Sequence, residues 1–169
     1  MTTIRKATLD DAPALLAIYA PYVSETAVSF EYDVPTIDEF RRRMVVFSAR
    51  YPYLVAETDG EIVGYCYAHA FHERAAFQWS VETTIYIARS QRRKGIGYQL
   101  HEALEQALRQ QGILNMNASI AYSDHEDEYL THDSVHFHER LGYNIVAHFH
   151  RCGKKFGRWY DMVWMEKLL

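Results

Sequence analysis

The spacing of apolar residues along the chain changes repeatedly, and each change marks an element. Ile4–Thr8 has strand character, after which Leu15, Leu16, Ile18 and Tyr19 recur at helical spacing. Thr8, followed by Asp10 and Asp11, supplies an N-cap with acids in the first turn, predicting a helix from about Leu9 to Val23 with Pro13 and Pro21 near its ends. Ser24–Pro35 keeps no period and reads as a loop over one edge of the domain. Thr36-Ile37-Asp38-Glu39 is a capping box that opens a second helix, Ile37 to Ala49. Tyr53–Glu57 and Glu61–Phe71 are strands joined at Asp59-Gly60, a strong hairpin signal. After a connection at His72–Phe77, the β-branched and aromatic run Val81–Ala88 predicts a buried strand. Helical spacing returns over Ile96–Gln111 and stops at Gly112. Leu114–Tyr122 is then a strand parallel to the central one, because a helix crosses between them. An acidic loop, Ser123–Glu128, leads to a helix from about Asp133 to Leu141, stopped by Gly142. Strands at Tyr143–Cys152 and Arg158–Lys167 close the chain around a turn containing Gly153 and Gly157.

This order predicts an α/β (α+β) mixed sheet, mostly antiparallel and twisted, with helices on both faces. The 169 residues, 49% hydrophobic and 14% aromatic, suit a single domain spanning 1–169 with a sizeable core. A net charge of −4 argues against general nucleic-acid binding, which rests on many phosphate contacts. No apolar run approaches a membrane span and the first residues lack a signal peptide's apolar stretch, so a cytoplasmic protein is expected. Cys66 and Cys152 form no C-x-x-C and are expected to be reduced thiols.

Candidate chemistry concentrates where the central strand ends. Arg92-Arg93-Lys94-Gly95-Ile96-Gly97 places three cations and two glycines in the turn before a helix, where unpaired N–H groups and the helix dipole favour an anion such as a pyrophosphate. The spacing matches neither a Walker loop nor a dinucleotide fingerprint. After a strand, Arg92-x-x-Gly95-x-Gly97 resembles the acetyl-CoA signature of the GCN5-related N-acetyltransferases, the GNAT superfamily, and the element order is the GNAT order. Four further stretches resemble the phosphinothricin and methionine-sulfoximine acetyltransferase branch: Ser29-Phe30-Glu31, Trp79 to Ile87, His138-Glu139-Arg140-Leu141-Gly142-Tyr143 and Gly157-Arg158-Trp159-Tyr160-Asp161.

The resemblance implies acetyl transfer from acetyl-CoA to the α-amino group of a small amino acid or analogue, by a homodimer. It assigns the pantetheine arm and thioester to Ile85, Tyr86 and Ile87, and the pyrophosphate to Arg92, Arg93, Lys94, Gly95, Ile96, Gly97 and Tyr98. Thr131 and Ser134 add to the cofactor site, Thr131 standing where the branch has asparagine. Glu82 matches the general base and His138 the group that would protonate the leaving thiolate. Phe30, Glu31, His72, Arg74 and Trp159 match the acceptor pocket. Of the branch's three arginines before the base only Arg74 is kept; His72 and Gln78 replace the others. The chemistry agrees with these types, since a protonated amine needs a proton acceptor before it can attack a thioester. Acceptors weighed beside the amino acids are polyamines, aminoglycosides and protein N-termini. A binding module without catalysis is the other class, and it would need no base. His125, His132, His136 and His138 with Asp124, Asp127 and Asp133 lack a family-like zinc spacing and read as an acidic surface loop, so no metal is expected.

Overall fold

The computed structural model describes all 169 residues. In chain order the elements are β1 Thr2–Lys6, α1 Ala12–Ser24, α2 Ile37–Ser48, β2 Tyr53–Thr58, β3 Glu61–Ala70, β4 Ser80–Ile87, α3 Ile96–Gln110, β5 Asn115–Tyr122, α4 Asp133–Arg140, β6 Asn144–Lys155 and β7 Arg158–Leu168. The predicted start of the first helix is instead a 3-10 turn, Leu9–Asp11, in which the Thr8 amide donates to Asp11 Oδ2 at 2.7 Å. Only half of the expected capping box forms at α2: Thr36 Oγ1 accepts from the Glu39 amide, while the Glu39 carboxylate pairs with Arg42 and Arg43 instead of reaching back. Asp59 and Gly60 both take positive φ, 53° and 81°, as a two-residue hairpin turn requires.

The seven strands order as β1-β2-β3-β4-β5-β7-β6, and only β4 and β5 run parallel. Alternate residues feed two cores, as the pleat dictates. Leu54, Ala56, Cys66 and Val81 face α3 in a 19-residue cluster, while Tyr53, Val55 and Tyr65 face α1 and α2 in one of ten. The second core is lined with aromatics, among them Tyr53 stacked on Tyr67 with centroids 4.8 Å apart.

The sequence placed Gly153 in the last turn, and the structure corrects this. The turn is Phe156-Gly157 alone, with φ of 53° and 73°. Gly153 pairs with Tyr160 inside β6, beneath the Phe30 ring. A Cβ there would lie 2.6 Å from that ring, so the glycine serves close packing.

What positions the site is a fork. β4 and β5 pair only at Ser80↔Asn115, Val81↔Met116 and Glu82↔Asn117, then separate. Asn117, buried at the branch point, is bonded on all sides. Its Nδ2 donates to the Val81 carbonyl at 3.2 Å, its Oδ1 accepts from Trp164 Nε1 at 2.9 Å, and its carbonyl accepts from Thr83 Oγ1 at 3.2 Å. Beyond it, β4 stays paired with β3 as far as Ile87, but its other edge has no strand partner.

Candidate active site

The fork opens a cleft of about 920 Å³ running from Glu82 to the N-terminus of α3. That volume lies at the upper end for small-molecule sites and has room for an extended ligand. Its floor is the free edge of β4, Thr84 to Ile87, facing Ala118–Ala121 of β5. Tyr22, on α1, donates its hydroxyl to the Ile87 carbonyl and fixes that end of the strand. Ile85, Tyr86 and Ile87 all line the cleft. Alternation along the strand turns the main chain of Ile85 and Ile87 to the free edge, where Tyr22 takes the Ile87 carbonyl, while Tyr86 pairs with Tyr65 of β3 and packs its ring against Tyr19 and Tyr22.

The far end is cationic. Arg92, Arg93, Gly95, Ile96, Gly97 and Tyr98 line it, together with Arg89. Gly95 caps α3 at φ 79°, a left-handed conformation that glycine adopts without strain, and leaves the first-turn amides facing the opening. Gly97 does something else. A Cβ at this position would stand 3.2 Å from the Phe137 ring, so the glycine lets α4 close on α3. Asp133 holds Arg92 at 2.9 Å and Arg93 at 3.6 Å, tying the basic turn to the start of α4. Lys94 does not join the lining and donates to Gln91 Oε1 at 3.0 Å. Thr131 and Ser134 lie on the wall.

At the fork itself, Glu82 is the last residue of β4 paired with β5. Ser119 Oγ, from across the split, donates to its Oε1 at 2.6 Å, and His69 Nε2, from the opposing position on β3, lies 3.6 Å from its Oε2. Only a fifth of the side chain is exposed. In the sequence Ser119 and His69 look like ordinary alternating strand residues; the only signals are the register of His69 with Glu82 and the place of Ser119 two residues beyond Asn117, the partner of Glu82 on β5.

His138 lines the same wall and is buried, 4% exposed. Its Nδ1 lies 2.7 Å from the Ser134 carbonyl, which can only accept, so Nδ1 carries the proton. Burial lowers the pKa of the ring, opposed by that hydrogen bond. The resting ring is therefore neutral, with its one proton already donated to Ser134, and has none to deliver to a thiolate. Behind it lies a polar pair buried in the core, Tyr143 hydroxyl to His101 Nε2 at 2.8 Å, with burial pushing His101 down to about 4.

The acceptor residues are only partly assembled. Phe30 reaches the cleft. Glu31 turns away to a two-point pair with Arg43, at 2.6 and 2.9 Å, and accepts from the Tyr19 hydroxyl. The Arg43 pairing, helped by the Tyr19 hydroxyl and opposed by burial, holds its carboxyl below the usual range and makes Glu31 a tie between α2 and its preceding loop. His72 and Arg74 lie in the exposed loop ahead of β4, His72 against Phe77, and Trp159 lies exposed on β7 under Lys154. None of these four residues lines the cleft. The acidic loop is held by its own amides and by β7: Asp127 accepts from the amides of Tyr129 and Leu130 and from the Tyr160 hydroxyl, and Arg158 bridges Asp127 and Glu128.

An open strand edge leading to a cationic helix N-terminus suits an extended, phosphate-bearing acyl carrier, which defines the class as an acyltransferase. Residues 4–164 match the acetyltransferase (GNAT) domain, and the chain belongs to that family. It is 31% identical to a phosphinothricin N-acetyltransferase of Streptomyces viridochromogenes, over 97% of this chain and 86% of that one. It is 34% identical to an L-methionine sulfoximine/L-methionine sulfone acetyltransferase of Pseudomonas paraeruginosa, over 97% and 92%. A phosphinothricin acetyltransferase from Sinorhizobium meliloti, solved in complex with acetyl-CoA, superposes with a TM-score of 0.90 at 31% identity, covering 99% of this chain and 88% of that one.

Proposed function

We propose that this chain transfers acetyl from acetyl-CoA directly to the α-amino group of a small amino acid or analogue with a tetrahedral side chain, such as phosphinothricin, methionine sulfoximine or methionine sulfone. The observation that carries this reading is Glu82 at the branch of the fork, beside the free edge of β4. Acetyl-CoA lies along that edge, with its pyrophosphate at the first turn of α3 and its thioester near Ile87. The ammonium of the acceptor gives its first proton to Glu82, directly or through a water, and the free amine attacks the thioester carbon. Unpaired strand amides meet the oxyanion. As the intermediate collapses, the C–S bond breaks and the attacking nitrogen loses its second proton. That proton balances the departing thiolate, so a dedicated acid is not required. An ordinary thiol pKa near 8.5 makes the thiolate an adequate leaving group. His138 serves in this scheme by shaping the wall, and as an acid only after taking up a proton.

Arg74 is assigned the carboxylate or phosphinate of the acceptor, which requires its loop to fold over the cleft mouth. A cationic acceptor is disfavoured, because apart from Glu82 the acidic groups on the wall are taken, Glu128 by Arg158 and Asp133 by Arg92 and Arg93. The protein acts as a homodimer, a reading supported by β6, a twelve-residue edge strand with Ile145, Val146 and Phe149 exposed. Two free cysteines suit a reducing compartment, and no helix is long and apolar enough to cross a membrane, so the cytoplasm is the proposed location, which cell fractionation tests.

Thiol release from acetyl-CoA is measured with phosphinothricin, methionine sulfoximine, methionine sulfone, ordinary amino acids, spermidine and an aminoglycoside. Turnover confined to the amino acids and their analogues is expected. Turnover on the polycations alone would contradict the acceptor assignment while leaving the cofactor site in place.

A further inference from the structure

Outside the cleft, β6 carries a bulge that gathers three side chains with metal-binding atoms. Phe149 pairs with Met162 and Gly153 with Tyr160, so residues 150–152 stand opposite Asp161 alone. Arg151, in the bulge, takes φ 48°. His148 and His150, two apart on the strand, project together and stack with centroids 4.1 Å apart. His148 Nε2 lies 2.7 Å and His150 Nδ1 3.4 Å from the same oxygen, Asp161 Oδ2. The other oxygen, Oδ1, accepts from the Arg151 amide at 2.8 Å, which fixes the carboxylate with Oδ2 turned to the rings. All three ligand atoms fall within 4.8 Å of one another.

An ordinary ion pair explains only part of this. One proton can bridge one nitrogen to Oδ2, and the 2.7 Å contact is that bridge. The second nitrogen stands near the same oxygen without a short hydrogen bond of its own, on a ring that is mostly exposed. A cation can take all three atoms at once. With metal–ligand distances of about 2.0–2.1 Å, tetrahedral ligand atoms stand about 3.3 Å apart. The two nitrogen–oxygen distances, 2.7 and 3.4 Å, bracket that value, and the nitrogens, within 4.8 Å of each other, can close on an ion by rotation of the mostly exposed His150 ring. Two imidazoles and one carboxylate suit a borderline first-row ion rather than magnesium or calcium. The Arg151 amide on Oδ1 is the kind of outer contact that orients a ligating carboxylate. Tyr122 packs edge-on against His148 and closes one side.

We propose that His148, His150 and Asp161 form a binding site for a divalent transition-metal ion, zinc in the first instance. Water completes the coordination, and the ion pins the β6 bulge to β7. None of the three residues lines the cleft, so the site is separate from acetyl transfer.

The test is calorimetric titration of the tag-free protein with zinc chloride, repeated with cobalt(II) for its absorption spectrum. One ion per chain is expected, with a zinc-dependent rise in melting temperature. His150→Gln, at an exposed position that tolerates change, and His148→Gln should each weaken binding by about tenfold or more and abolish the thermal shift. His132→Gln, which alters the histidine beyond Tyr122, should leave both unchanged. Absence of zinc binding by the unaltered protein, or binding that survives both substitutions on β6, would overturn the proposal.

Discussion

Lys155 is buried at the end of β6 without a carboxylate beside it. Its ammonium donates to the carbonyls of Val23 and Ser29, at 2.6 and 2.7 Å. Desolvation lowers its pKa, with Glu31 opposing weakly. Those two carbonyls belong to the end of α1 and the loop that follows it, and the next residue after Ser29 is Phe30, on the cleft. One side chain therefore connects the last hairpin to the acceptor wall. Lys155→Met keeps the aliphatic length but leaves two buried acceptors unpartnered, each costing about 1–3 kcal/mol. Urea unfolding should show a loss of that order. The KM for the acceptor should rise while that for acetyl-CoA stays put; a rise in both, or in neither, would count against the link between Lys155 and Phe30.

At the scale of elements, the edge strand β6 bears on assembly. Its length and exposed apolar residues make an unpartnered strand costly in solution, and a second copy is the simplest cover. Sedimentation velocity should find a dimer, and Val146→Lys, on the exposed edge, should shift it toward monomer. A monomeric unaltered protein would refute the reading. The elements themselves are legible in the sequence because their signals are local: the N-cap at Thr36, Asp59-Gly60, Gly112 and Gly142 each mark a boundary in the chain where they act. Gly153 was misplaced for the opposite reason, since what requires it is Phe30, over a hundred residues away. The same limit governed the site. Glu82 and the basic turn lie in one continuous stretch and could be found together, whereas Ser119, His69 and Asn117 acquire meaning only from strand register. The pairing of Glu31 with Arg43 is likewise a tertiary fact.

For the molecule as a whole, the buried histidines make stability depend on pH. His101 falls from 6.5 to about 4 through burial, and His138 is lowered for the same reason. Both are neutral when folded, and the unfolded chain binds more protons below pH 6.5. Their cost is absent above pH 6.5 and grows as pH falls toward 4, reaching on the order of 3 kcal/mol for His101. The stabilisation from the lowered carboxyls, Asp11 and Glu31 among them, is fully present above their ordinary values of 3.8 and 4.5 and is lost only as pH falls below them. The histidines therefore account for the window from pH 6.5 to about 4.5. Denaturant unfolding across it should show falling stability, with a shallower slope in His101→Gln. An unchanged slope would remove His101 as the cause.

The whole arrangement converges on Glu82, and the most direct test is Glu82→Gln, assayed separately for acetyl-CoA binding and for transfer to the best acceptor. The glutamine keeps the shape and can still accept from Ser119, but it cannot take a proton from an ammonium. Binding should be unchanged and turnover should fall by roughly a hundredfold or more, within the range that a positioned acid or base contributes. Turnover equal to that of the unaltered protein, with acetyl-CoA still bound, would contradict the mechanism even though the fold and family stand.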